Sequence, residues 1–167
     1  MSLRVGILTV SDRCWRKEAL DEGGPLLERR ARSLGWEVAA RDLVPDEPAR
    51  IRAALKRWSS GRSALDLVLT TGGTGLGPRD MTPEATRAVL DKEVPGLAER
   101  IRREGERHTP LAALSRAACG VRGKTLIVNL PGSPKGAQES LAAVEGLLAH
   151  AAAMMRGADH PRGGAAR

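Results

Sequence analysis

The sequence predicts a three-layer α/β/α sandwich, a single domain in which helices cover both faces of a mostly parallel central sheet. Short apolar runs, at residues 5–10, 65–69 and 124–130 among others, alternate with segments of helical periodicity. Runs that are apolar almost throughout are typical of parallel strands covered on both faces. Regular alternation of strands with helices favours the α/β class. A length of 167 residues fits one such domain, and the sequence shows neither an internal repeat nor a linker.

The first half of the chain is predicted to alternate strand and helix twice. Residues 5–10 form the first strand, and Pro25 suits the first turn of the helix that follows. Residues 36–44 form a second strand, which ends in the turn at residues 45–48. Beyond that turn, apolar residues from Ile51 onward recur at helical spacing. Parallel strands need such crossover helices between them.

The second half continues the alternation after the strand at residues 65–69. Thr82 is predicted to cap a helix whose first residue is Pro83. The later elements are, in order, a helix at 97–106, a brief strand at 111–114, a turn flanked by Gly120 and Gly123, a strand at 124–130 and a last helix beyond Lys135.

The composition restricts the class of partner. The formal charge is +7 and the pI is about 10.4, but the basic residues are scattered among Glu and Asp, which is typical of a solvated surface. The chain has no Phe or Tyr and three Trp, which leaves little to stack on nucleic-acid bases. We therefore expect no nucleic-acid partner; salt-sensitive binding to DNA or RNA would indicate one.

The same features bear on the cellular compartment. No apolar stretch approaches the length of a transmembrane helix, and no signal-peptide pattern precedes the first strand. Cys14 and Cys119 fit neither a metal-binding spacing nor a disulfide framework, so we expect free thiols. These observations predict a cytoplasmic protein without a membrane partner. Residues 157–167, rich in Gly, Ala, Pro and Arg, are expected to form a flexible C-terminal tail.

Two glycine-rich turns are the strongest indication of function. TTGGTG at residues 70–75 and NLPGSPKG at residues 129–136 each follow a predicted strand and precede a predicted helix. Such turns lie at the carboxyl edge of an open α/β sheet, where ligands bind. Glycines there allow backbone N–H groups to approach an anion closely. The first turn matches neither the P-loop nor the dinucleotide fingerprint. It nevertheless predicts an enzyme that acts on a phosphorylated small molecule.

Three acidic residues follow these predicted strands and turns. Asp12 ends the first strand, Asp46 stands in the turn after the second, and Asp80 follows the first glycine turn. A carboxylate beside a bound phosphate is repelled unless a cation lies between them, and Mg²⁺ commonly fills that position. Each of the three also fits a structural role at a helix start. The residues alone leave both interpretations open.

The second turn adds polar candidates. Two prolines stiffen the bend, and Gly132 supplies permissive dihedral angles. The Ser133 hydroxyl is a candidate donor, and Lys135 at the helix start is a candidate phosphate ligand, with a solvated surface lysine as the alternative. Ser115 precedes a glycine-spaced turn and is either a helix cap or a ligand contact.

Six segments, taken together, carry a resemblance to a known family. They lie at residues 10–13, 43–47, 71–75, 79–85, 114–116 and 130–136. In this order they closely resemble the molybdopterin adenylyltransferase family of molybdenum cofactor biosynthesis. The resemblance extends from about Arg4 to Met155, and it identifies residues 1–156 as a molybdopterin-binding domain.

The resemblance implies an activity and its partners. It implies a compact α/β fold that assembles as a homotrimer. It also implies a nucleotidyltransferase in which, with Mg²⁺ as cofactor, the terminal phosphate of molybdopterin attacks the α-phosphate of ATP. The products are adenylyl-molybdopterin and pyrophosphate. A molybdenum-insertion protein is a candidate partner.

The resemblance also implies roles for individual residues. Asp46 and Asp80 match the two acidic residues associated with catalysis, and we expect them to hold Mg²⁺. Lys135 is the third candidate catalytic residue, because it would offset charge on the transferred group. The residues that fall in the family's pterin-binding segments are Thr74, Gly75, Ser115, Pro131, Gly132 and Ser133. The position at the strand ends and in the first glycine turn, rather than the resemblance, adds as candidate substrate-binding residues Ser11, Asp12, Thr71, Gly72 and Gly73.

The sequence also supports an alternative of a different class. The chain is short after its last helix and carries GSPKG in the second turn, which is similar to the smaller MoaB-like branch of the family. Some members of that branch are suspected of lacking the activity. The alternative is therefore a non-catalytic molybdopterin-binding or carrier protein of the same pathway. Because both acidic positions are filled, the active enzyme is favoured.

Overall fold

The computed structural model describes residues 2–157. In this range the strands are Arg4–Val10 (β1), Glu37–Val44 (β2), Leu67–Thr71 (β3), Lys92–Glu93 (β4), Cys119–Arg122 (β5) and Thr125–Leu130 (β6). The α-helices are Asp12–Trp15 (α1), Gly23–Ser33 (α2), Pro48–Trp58 (α3), Thr82–Arg87 (α4), Pro95–Glu106 (α5) and Pro134–Met155 (α6), and a 3₁₀ helix covers Pro110–Leu114.

The strands form one sheet in the order β2-β1-β3-β6-β5-β4. The strands β2, β1, β3 and β6 are parallel to one another, while β5 and β4 add an antiparallel extension. In the parallel part, Val10 pairs with Val44, and Thr71 pairs with both Thr9 and Leu130. The carboxyl ends of four strands therefore meet at one edge, as the predicted mostly parallel sheet requires.

Apolar side chains cover both faces of the sheet, because successive residues of a strand point to opposite sides. On one face, Ile7 and Val128 pack with helices α2, α5 and α6. On the other face, Leu8 and Ile127 pack with α3 and α4. The predicted three-layer α/β/α sandwich is confirmed.

The prediction of a strand at residues 111–114 is wrong. This segment lies in the 3₁₀ helix, which begins at Pro110 and is capped by the Thr109 hydroxyl, an acceptor for the Leu111 N–H at 3.3 Å. Proline fixes a φ that suits a helical first turn, and the cap satisfies a free donor there. The local chemistry therefore outweighs the apolar pattern.

The sequence predicts a turn flanked by Gly120 and Gly123 followed by one strand, whereas the structure has two paired strands, β5 and β6, joined by a tight turn. Gly123, with φ +57°, makes the turn, but Gly120 lies inside β5. A Cβ on Gly120 would lie 2.5 Å from the Lys92 carbonyl oxygen of β4. This glycine therefore allows a close approach of two backbones rather than a bend.

Two helix starts differ from the prediction by one or two residues. Thr82 is the first residue of α4 rather than its cap, and its hydroxyl is buried without a hydrogen-bond partner among the described residues. Helix α5 begins at Pro95, two residues before the predicted start, because proline suits the first helical position.

Other expectations concern the cysteines, the chain end and the membrane. Cys14 and Cys119 are free, as predicted, and burial raises the pKa of the Cys119 thiol to about 12. Of the predicted tail at 157–167, only Gly157 belongs to the described part, and the rest lies outside it. None of the helices within residues 2–157 has the length and apolar character needed to cross a membrane.

Candidate active site

The two glycine-rich turns are in direct contact at the carboxyl edge of the sheet. The Thr71 hydroxyl donates to the Pro131 carbonyl at 2.7 Å, and the Gly72 N–H donates to the Leu130 carbonyl at 3.2 Å. A Cβ on Gly132 would stand 3.2 Å from the Cα of Gly72. Strands β3 and β6 are neighbours in the sheet, so their turns lie side by side.

Backbone geometry explains the first glycine pair. Gly72 and Gly73 have φ values of +103° and +64°, in the region that side chains disfavour. A Cβ on Gly72 would lie 2.1 Å from the Val10 carbonyl oxygen, and one on Gly73 would lie 3.0 Å from a carboxylate oxygen of Asp46. Both positions therefore require glycine.

The first turn also presents free backbone donors. None of the hydrogen bonds found within residues 2–157 uses the N–H groups of Gly73, Thr74 or Gly75. Consecutive unpaired N–H groups beside a cavity are suited to bind an anion such as phosphate.

Two cavities of about 300 Å³ lie on either side of the contact between the turns. One, the acidic cavity, is lined by four acidic residues, Asp21, Glu22, Asp46 and Asp80. The other, the apolar cavity, is walled by Ile101, Leu111, Leu114 and Pro131 and carries several hydroxyl groups.

All of the predicted site residues except Asp12 and Lys135 divide between these cavities. Lining the acidic cavity are Ser11, Asp46, Thr71, Gly72, Gly73, Asp80 and Gly132. Lining the apolar cavity are Thr74, Gly75, Ser115, Pro131 and Ser133.

Asp12 and Asp46 form a reciprocal pair behind the acidic cavity. The Asp12 N–H donates to the Asp46 carboxylate at 2.7 Å, and the Asp46 N–H donates to the Asp12 carboxylate at 3.0 Å. The Arg79 guanidinium binds both Asp12 oxygens, at 3.0 and 3.1 Å. This bidentate hydrogen bonding lowers the pKa of Asp12.

The environment of Asp46 shifts its pKa in the direction opposite to the shift at Asp12. Burial raises the pKa of Asp46, and the neighbouring charges of Asp12 and Asp80 raise it further, against the hydrogen bond from the Asp12 backbone. Two adjacent carboxylates thus have different roles: Asp12 is neutralised by arginine, whereas Asp46 forms no ion pair within residues 2–157.

Lys135 lies in neither cavity. Its side chain is 83% exposed, and its ammonium lies 3.8 Å from Glu139 in a groove between α5 and α6. The structure does not bring this lysine to the aspartates, and its catalytic role stays a prediction.

The structure adds three residues that the sequence reasoning missed. Asp21 accepts hydrogen bonds from the Thr9 hydroxyl and the Gly24 N–H, both at 2.9 Å, at a wall of the acidic cavity. Glu22 follows it, and the signal for both was the run DEGGP before α2. Arg116 holds the first glycine turn through its guanidinium, and the motif LSR at residues 114–116 was its only signal.

The donors of the acidic cavity are consistent with a magnesium ion. Within the described residues, no three His, Cys, Asp or Glu side chains are grouped closely enough to hold a metal by themselves. Mg²⁺ is commonly bound by one or two carboxylates together with waters and substrate phosphates. Asp46 and Asp80 offer two carboxylates, and an added cation would offset both the burial and the neighbouring negative charges that raise the pKa of Asp46. The residues present therefore fit the ion.

Several known proteins that this chain resembles belong to molybdenum cofactor biosynthesis. Residues 6–150 match the sequence profile of a family described as a probable molybdopterin binding domain. The chain is 46% identical over 155 residues to the molybdenum cofactor synthesis protein cinnamon of Drosophila melanogaster, covering 90% of this chain and 25% of that protein. It is 42% identical over 147 residues to the molybdopterin adenylyltransferase of Escherichia coli K12, covering 86% and 74%, respectively.

A second relative and a solved structure extend the comparison. The chain is 40% identical over 154 residues to a molybdenum cofactor biosynthesis bifunctional protein of Synechococcus elongatus, covering 92% of this chain and 48% of that protein. It thus spans a quarter to a half of two of these relatives. The crystal structure of the molybdopterin biosynthesis enzyme MoaB of Thermus thermophilus is 57% identical, with a TM-score of 0.87 and coverage of 93% and 97%.

Proposed function

The chain belongs to the molybdopterin-binding domain family of molybdenum cofactor biosynthesis, and on that premise we propose that it is a Mg²⁺-dependent molybdopterin adenylyltransferase. In this reaction the terminal phosphate of molybdopterin attacks the α-phosphate of ATP, the bond to the β-phosphate breaks, and adenylyl-molybdopterin and pyrophosphate are formed. Relatives at 40–42% identity bear the name molybdopterin adenylyltransferase, a nucleotidyltransferase.

One observation carries the proposal: two cavities of different chemistry share a wall made by the glycine turns. The apolar cavity suits a flat heterocycle such as a pterin, with hydroxyl groups for its polar edge. The acidic cavity suits a polyphosphate only when a divalent cation neutralises it. The N–H groups of Gly73, Thr74 and Gly75 lie between the two, where the reacting phosphates would meet.

The residues contribute mainly position and electrostatics, as is usual for phosphoryl transfer. Asp46 and Asp80 would hold Mg²⁺. When bound, Mg²⁺ would neutralise charge on the ATP phosphates. Asp12 is bound by Arg79 and holds Asp46 in place through their reciprocal hydrogen bonds. The free N–H groups of the first turn would stabilise negative charge on the transferred group.

The assembly and the partners belong to the same proposal. We include the homotrimer that the family resemblance implies, and the cytoplasmic location that the sequence predicts from its free cysteines and from the lack of a signal-peptide or transmembrane pattern. The bifunctional relatives, of which this chain spans about half, support a second protein or domain of the same pathway as a partner.

The test is pyrophosphate release from ATP, measured with and without molybdopterin and with and without Mg²⁺. We expect release only when all three are present. Asp80→Asn is expected to reduce turnover by about a hundredfold or more, because an amide is a poor magnesium ligand. The amide oxygen can still accept the Gly77 N–H, which lies 2.8 Å from Asp80, so the fold should persist.

Asp42→Asn is the matched control. Asp42 lies on β2 with 41% of its side chain exposed, paired with Arg57 away from both cavities. This variant should keep wild-type turnover. Undiminished turnover in Asp80→Asn would contradict the mechanism. Tight pterin binding without pyrophosphate release under saturating ATP would select the carrier function instead.

A further inference from the structure

We infer that Arg116 is a positioning residue, which fixes Asp80 relative to the apolar cavity; this inference rests on the proposed function. Its Nε donates to the Gly75 carbonyl at 2.7 Å. The other guanidinium nitrogens contact the Asp80 carbonyl and the Glu84 carboxylate. Its backbone N–H donates to the Thr74 carbonyl at 3.0 Å.

These contacts tie together both ends of an exposed excursion of the chain. Residues 76–79 are exposed, and Leu76 is 68% exposed. Inside the excursion, Asp80 and Gly77 exchange hydrogen bonds of 2.8 and 3.0 Å. A guanidinium presents five donors in a rigid planar fork, so a single side chain can hold Gly75, Asp80 and Glu84 at fixed separations.

The segment that carries Arg116, residues 115–117, contributes to a wall of the apolar cavity. Ser115, next to Arg116, lines that cavity. On the opposite side, the Arg102 guanidinium donates to the carbonyls of Ser115 and Ala117, both at 3.3 Å. Residues 115–117 are therefore held by α5 on one side, and on the other side Arg116 holds the turn at residues 75–80. These two sets of contacts together fix Asp80 relative to the apolar cavity.

Arg116 contacts Asp80 through its carbonyl, and the Asp80 carboxylate has no ion-pair partner among the described residues. Asp12 differs, because Arg79 occupies both of its carboxylate oxygens. The positive charge of Arg116 is instead balanced by Glu84, whose other oxygen is buried without a hydrogen bond within the described residues. Asp80 is thus placed by an arginine without being neutralised by it.

The experiment compares Arg116→Met with the control Arg57→Met. Arg57 is also paired with a carboxylate, that of Asp42 at 2.7 Å, but it lies in the last turn of α3. Pyrophosphate release and hydrogen–deuterium exchange of residues 75–80 are measured in both. For Arg116→Met we expect kcat to fall about a hundredfold, the loss typical of a misplacement near 1 Å. We expect KM for molybdopterin to change less than about threefold, and exchange at 75–80 to accelerate.

Conservative variants separate position from folding. Arg116→Lys keeps the charge but provides one compact ammonium in place of the fork, so it should recover only part of kcat. Glu84→Gln keeps an acceptor and removes the ion pair, and it should accelerate exchange at 75–80 to a smaller extent. If Arg116→Met does not fold, these two variants decide the question by the same measurements.

Three results would overturn the inference. They are wild-type kcat in Arg116→Met, unchanged exchange at 75–80 in all three variants, and a loss confined to KM, which would make Arg116 a substrate-binding residue. If the wild-type protein released no pyrophosphate, the proposed function would fail. The exchange measurement would still test whether Arg116 positions the turn.

Discussion

Replacing Gly72 by alanine adds one methyl group at the point where the two turns meet, and we expect a large loss of stability. The φ of +103° places an L residue in a disfavoured region, which costs about 1–3 kcal/mol. The new Cβ would lie 2.1 Å from the Val10 carbonyl oxygen. This atom belongs to the backbone of β1 and cannot rotate away, so overpacking adds about 1–3 kcal/mol.

The sum of the two terms is about 4 kcal/mol, a large part of the roughly 5–15 kcal/mol that stabilises a typical domain. For a chain of this length, the corresponding fall in Tm is about 8–16 °C. Urea unfolding followed by circular dichroism measures the change in free energy directly. Ser11 and Asp12 directly follow Val10. The rate of pyrophosphate release should therefore also fall in this variant, even at temperatures at which it is still folded.

Gly61 provides the matched control, because it has a φ of +74° and no atom within 4 Å of the position of a Cβ. Gly61→Ala therefore carries the dihedral strain without the clash and should cost about 1–2 kcal/mol. The difference between the two variants measures the contact with Val10. If Gly72→Ala were no more destabilising than Gly61→Ala, the argument from close approach would be refuted.

Three further substitutions test other parts of the site. The raised pKa of Asp46 means that the folded state keeps this proton to higher pH than the unfolded chain, so its contribution to stability is full below about pH 4 and lost as pH rises. Asp46→Asn should therefore raise Tm at pH 7 while abolishing turnover, and a lower Tm at every pH would contradict this. Asn129→Leu removes the side-chain hydrogen bonds of Asn129 with the Ala118 N–H and with two buried threonine hydroxyls. The free energy of unfolding, measured with urea, should fall by about 3 kcal/mol. A fall of less than about 1 kcal/mol would mean that these hydrogen bonds do not stabilise the core. Ser133→Ala removes the cap on the Gly136 N–H of α6 and should lower Tm by about 2–4 °C, whereas an unchanged Tm would mean that the cap contributes nothing.

The part of the site that follows directly from local pattern and topology could be predicted. Apolar runs identified β1, β2, β3 and β6, and parallel strands place the residues that follow them at one edge. The positions of Ser11, Asp46, Gly73 and Pro131 at the cavities are consequences of that rule. No three-dimensional information beyond strand order was needed for them.

Side-chain direction and long-range contacts could not be predicted in this way. Lys135 follows the second turn by only a few residues, but it lies in the first turn of α6, where successive side chains point about 100° apart. Its ammonium therefore faces the groove near Glu139 instead of the cavities. Arg116 reaches residues about 40 positions away, and no local periodicity records such a contact.

The charges of the acidic cavity favour the transferase over the carrier. A protein that only bound a phosphorylated pterin would have no electrostatic reason to place Asp21, Glu22, Asp46 and Asp80 around a cavity beside the anion. Arginine neutralises Asp12 through its carboxylate, whereas Arg116 contacts Asp80 only through its carbonyl. In a chain of net charge +7, this concentration of carboxylates is a local exception. Carboxylates favour phosphate binding only when a divalent cation lies between them and the phosphate. Nucleotidyl transfer requires a polyphosphate, neutralised in this way, next to a second phosphate.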